Sequence, residues 1–98
     1  MESTVVFKIG DVKTAIREYT GRNPSKSNLN RWMNDVLDLP PYRPGEPRDY
    51  TVEDMFSLVF WVLAGEKSRR GPKSTRRKRR IKHYQELREQ WLQNQSIN

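Results

Sequence analysis

Apolar residues recur with helical spacing in four stretches of this chain, and the breaks between them carry residues that stop helices. Ile9, Val12, Ala15, Ile16 and Tyr19 follow one another at intervals of 3, 3, 1 and 3, which predicts one helix with one apolar face. Gly21 lies where such a helix stops. Asn23-Pro24-Ser25 predicts a fresh start, with an Asn cap and Pro in the first helical position. Leu29, Trp32, Met33, Val36 and Leu37 give this second helix its apolar stripe, while Lys26, Ser27, Asn30, Arg31 and Asn34 fall largely on the other face. Ahead of both helices, Val5, Val6 and Phe7 form a short apolar run that reads either as a strand or as a plug for the core.

Pro40-Pro41 end the second helix, because neither can donate a backbone hydrogen bond and each restricts the residue before it. Between Tyr42 and Tyr50, the turn signal Pro44-Gly45 separates two short arms with mirrored Arg and Tyr residues, and predicts a small β-hairpin. Thr51 followed by Asp54 reads as a capped helix start. Val52, Met55, Phe56, Val59, Phe60, Val62 and Leu63 then cover more than one face, so this third helix is expected to be the most buried element, with Gly65 closing it. Gly71-Pro72 marks a link, and a last helix is expected from near Ser74. Its seam of Ile81, Tyr84, Leu87, Trp91 and Leu92 runs along an otherwise charged rod.

Composition narrows the possible chemistry. The 98 residues are 34% hydrophobic and 32% charged, against ordinary values of roughly 45–50% and 25%, so the core is small. There is no cysteine, which excludes disulfides and thiolate metal sites. No apolar run approaches the ~20 residues that cross a bilayer, and the N-terminus lacks the form of a signal peptide; a cytoplasmic, nucleoid-associated protein is expected, with no membrane partner. A single histidine, His83, reads as a solvated residue of the tail, and no carboxylates converge. The expectation is therefore neither an enzyme nor a cofactor or metal protein.

Charge divides the chain more sharply than hydrophobicity does. Residues 1–65 carry a net −1 and residues 66–98 a net +8. Nine Lys/Arg lie among the fourteen residues 69–82, with no acid between them. Their mutual repulsion opposes a lone helix, so the sequence predicts an arm at 66–80 that stays unfolded until it meets phosphate.

The order of elements and several short motifs lead to a family resemblance. Ile9-Gly10-Asp11-Val12, Pro24-Ser25, Leu29-Asn30-Arg31-Trp32, Leu39-Pro40-Pro41, Arg43 and Arg48-Asp49-Tyr50-Thr51-Val52-Glu53-Asp54 resemble the DNA-binding domain of the MerR family across about residues 7–64. The resemblance implies a mainly α, winged helix-turn-helix domain at 5–65 with a small β-hairpin wing. A basic arm at 66–80 and a C-terminal helix at 81–95 follow it. It also implies an antiparallel homodimer, expected here through Ile81, Tyr84, Leu87 and Trp91. With no cysteine and no further domain in the sequence, no small-molecule effector is expected.

The residue chemistry points the same way. Ser25, Lys26, Ser27, Asn28, Asn30 and Arg31 cluster at the start of the second helix, and Asn and Arg are the side chains that bond twice to adenine and guanine edges. Tyr42, Arg43, Arg48 and Tyr50 are the expected wing contacts. Arg69, Arg70, Lys73, Arg76, Arg77, Lys78, Arg79 and Arg80 are the expected phosphate contacts of the arm. The function predicted is sequence-specific double-stranded DNA binding by a small transcriptional regulator, a repressor. Three readings stand beside it: an excisionase-like architectural DNA protein, an RNA-binding protein acting through its arginine-rich arm, and a protein-interaction adaptor whose basic tail docks an acidic partner.

Overall fold

The computed structural model describes residues 6–43, 45 and 48–96. Among them are four helices: α1 (Ile9–Thr20), α2 (Lys26–Leu37), α3 (Val52–Lys67) and α4 (Lys73–Ser96). The chain divides into two compact units, residues 1–59 and 60–98, so the boundary falls inside α3 and not after Gly65.

One expectation is corrected here. The mainly α class stands, but no β-strand occurs among the described residues, and the β-hairpin wing is not formed. Pro44, Glu46 and Pro47 of the expected turn lie outside the described residues. The extended pairing that does exist is a single antiparallel bridge, in which Phe7 and Tyr50 exchange both backbone hydrogen bonds at 2.8 Å. Tyr50 therefore pairs with the segment before α1 and not with Tyr42 across a hairpin. The reason lies in side-chain burial: Tyr50 belongs to the core, beside the segment before α1.

The first unit is built by α1, α2 and the first half of α3. Val12, Ala15 and Ile16 of α1, Leu29 and Met33 of α2, and Met55, Leu58 and Val59 of α3 are buried together with Tyr50. Gly21 caps α1 with positive φ, its N–H bonded to the Arg17 carbonyl, as the sequence predicts. The cap of α2 differs from expectation: it is Ser25, whose Oγ accepts the Asn28 N–H at 3.2 Å, so Pro24 precedes the helix instead of opening it. Two cap-forming side chains flank Pro24, and the register settles on the second. Thr51 and Asp54 close a reciprocal capping box at the start of α3 (Asp54 N–H to Thr51 Oγ1 3.0 Å, Thr51 N–H to Asp54 Oδ2 3.1 Å).

The second unit contains the rest of α3 and the whole of α4. Here α3 continues through Gly65 to Lys67. Gly65 lies inside the helix with the Arg80 guanidinium against it: an added Cβ would lie 2.7 Å from Cζ of Arg80 and displace it. Trp61 meets Tyr84 edge-on at 5.6 Å between ring centroids, and Phe60 meets Trp91 at 6.2 Å, so aromatic pairs join α3 to α4. Helix α4 starts at Lys73, and the basic residues from there to Arg80 are helical and not an unfolded arm.

Candidate nucleic-acid interface

With Ser25 as the cap, Lys26, Ser27 and Asn28 are the first three residues of α2, the part of a recognition helix that reaches base edges. Lys26 and Ser27 are exposed. Asn28 Oδ1 accepts a hydrogen bond of 2.6 Å from Nη2 of Arg31, one turn further on, and Arg31 itself is exposed. The bond holds the guanidinium on the polar face of the helix beside Asn28 and leaves its other N–H groups as donors.

Two predicted members of this cluster do other work. The hydroxyl of Ser25 is engaged in capping. Asn30 Oδ1 accepts the backbone N–H of Tyr42 at 2.8 Å, which anchors the chain leaving α2. An asparagine reading adenine uses both its carbonyl and its amide, and in this structure the carbonyl of Asn30, like that of Asn28, is already engaged inside the chain.

The residues expected on the wing fare differently from one another. Arg43 is exposed. Arg48 instead turns inward, donating from Nη1 to the Pro40 carbonyl at 2.9 Å and from Nη2 to that of Pro41 at 3.4 Å. Consecutive prolines leave carbonyls with no following helix to bond them, and the fork of Arg48 supplies donors to both. Tyr50 is 0% exposed, and its hydroxyl points at the sulfur of Met33, 3.5 Å away, so it is a core residue and not a phosphate donor. Burial raises the Tyr50 hydroxyl above its ordinary range, with Arg48 opposing the shift. Beside this cluster Lys8 and Asp49 form an exposed ion pair, which solvent screens.

In the second unit Arg69, Arg70, Lys73, Arg76, Arg77 and Lys78 are all exposed. Arg79 and Arg80 are not part of that exposed set. Arg79 donates to the Arg70 carbonyl at 3.0 Å, closing the loop into α4. Arg80 donates from Nε to the Trp61 carbonyl at 3.0 Å, with its guanidinium 4.1 Å above the Trp61 ring. The expected dimer seam is likewise largely spent within one chain, since Tyr84 and Trp91 face Trp61 and Phe60. Ile81 and Leu92 remain 37% and 41% exposed. His83 is half-buried, its Nδ1 4.0 Å from Glu86 of the next turn.

The arrangement thus offers two cationic surfaces, one small and oriented on α2, one dense on the start of α4. No group of metal-ligating side chains occurs among the described residues. No helix among them is long and apolar enough to cross a membrane. No family model, no curated protein and no solved structure matches the chain.

Proposed function

We propose that this protein binds double-stranded DNA in a sequence-specific manner through α2, and acts as a small regulator of transcription in the way of the MerR-like domains its sequence resembles. The observation that carries the reading is the Asn28–Arg31 pair: an exposed guanidinium, hydrogen-bonded to a neighbour, on the first turns of the second of the four described helices. Arg31 reads a guanine edge, Lys26 and Ser27 contact phosphates beside it, and the exposed cations at the start of α4 add affinity for any sequence. Binding to an operator represses by occupying it.

The test separates the two surfaces. Arg31→Ala is expected to weaken binding to a preferred site far more than to random duplex, by about 1–3 kcal/mol of discrimination. Neutralising Arg76, Arg77 and Lys78 together is expected to weaken both alike and to flatten the salt dependence. Equal losses on both duplexes for Arg31→Ala would remove α2 as the reading helix.

A further inference from the structure

The basic segment at the start of α4 is helical although little in its own sequence favours a helix. From Lys67 to Arg80 the only apolar side chain is that of Pro72, and the first turn of α4 holds no acid to complement the positive end of the helix. Lys73, Arg76, Arg77 and Lys78 repel one another there. What ties the segment down is made of two of its own cations: Arg79, bonded back to the carbonyl of Arg70, and Arg80, bonded to the carbonyl of Trp61 and laid over its ring.

We propose that Arg80 is a positioning residue and not a phosphate ligand, its guanidinium seated between Gly65 and the ring and carbonyl of Trp61 so that the first turns of α4 present Lys73, Arg76, Arg77 and Lys78 as a preformed cationic helix. The assignment rests on the nucleic-acid reading above and deepens it. Three features of the seat are specific to this residue pair. A planar guanidinium stacks on an indole while its Nε–H reaches an oxygen beside the ring, which an ammonium does not reproduce. The Trp61 carbonyl has a second lone pair to accept it. Any side chain at position 65 would occupy the place of the guanidinium, with Cβ 2.7 Å from Cζ and 2.9 Å from both Nε and Nη2.

A preformed helix binds without the cost of ordering its side chains and backbone at that moment. Loss of the seat therefore weakens binding without removing a phosphate contact, whereas loss of a true phosphate ligand lowers the salt slope by about 0.9 per contact. The experiment measures affinity for a short random-sequence DNA duplex over a series of salt concentrations, with helix content followed by circular dichroism. Arg80→Ala, Arg80→Lys and Gly65→Ala are each expected to lower helix content and to weaken binding about three- to tenfold at an unchanged salt slope. Arg76→Ala is expected to keep helix content and lower the slope by about 0.9.

Gly65→Ala is the informative variant, because it alters no charge and alanine by itself favours α3 more than glycine does, so a loss of α4 helix and of binding there comes from the displaced guanidinium. Arg80→Lys keeps the charge too, so a phosphate-binding role for Arg80 would leave its affinity near that of the unaltered protein. The assignment is overturned if Arg80→Ala lowers the slope by about one with its helix content intact, or if Gly65→Ala binds and folds as the unaltered protein does. Failure of the unaltered protein to bind any duplex would overturn the nucleic-acid reading instead. Helix content in the variants would then judge the seat by itself.

Discussion

Tyr50 and Arg48 show how a residue type that suits DNA also suits a core. The Tyr50 ring fills the middle of the first unit and its hydroxyl lies against Met33, while Arg48 bonds the carbonyls of Pro40 and Pro41. Because burial raises the Tyr50 hydroxyl above its ordinary value of 10.0, the unfolded chain ionises first as pH rises. Stability should be flat with respect to this group below about pH 10 and fall above it. Tyr50→Phe should flatten that alkaline decline in denaturant titrations run across the range, at a cost below roughly 1 kcal/mol at neutral pH. A decline equally steep in both proteins would show that Tyr50 is not its source. Arg48→Ala should cost about 0.5–1.5 kcal/mol, since two exposed proline carbonyls exchange a charged donor for water, and leave the salt slope of DNA binding unchanged. A fall in that slope would return Arg48 to the DNA.

Elements were legible where their signals are local. The stripe of α1, its Gly21 stop, the Thr51–Asp54 box and a helix beginning near Ser74 are all patterns within a few residues, and each appears in the structure. What was illegible depends on partners far away in the chain. Nothing near Arg48 says that its fork turns toward Pro40, nothing near Asn30 says that Tyr42 will claim its carbonyl, and a glycine at 65 looks like a stop until Arg80 is known to lie against it. The hairpin failed for the same reason, because the pairing of Tyr50 with Phe7 spans 43 positions of sequence. Thr51→Ala should destabilise the first unit by about 1 kcal/mol, read as a shift in the urea midpoint at constant slope. No shift would mean that the box contributes nothing beyond what water supplies.

At the scale of the whole molecule, the division of charge matches the division of labour that the proposed function assigns. The near-neutral residues 1–65 carry the oriented Arg31, and the strongly basic remainder carries the exposed cations of α4. Phosphate affinity alone would come from the second surface and would be blind to sequence. Under the proposed function, discrimination comes from the first. Tyr84 and Trp91 meet Trp61 and Phe60 inside their own chain, while Ile81 and Leu92 of the seam read from the sequence stay exposed.

The most direct measurement is an affinity selection from a random duplex DNA library at about physiological ionic strength, where non-specific phosphate binding is screened, run in parallel with the unaltered protein and Arg31→Ala. The account predicts a recovered motif that contains a guanine, with the preference at that position lost in Arg31→Ala. Duplex retained without any motif, or the same motif recovered by both proteins, would contradict it.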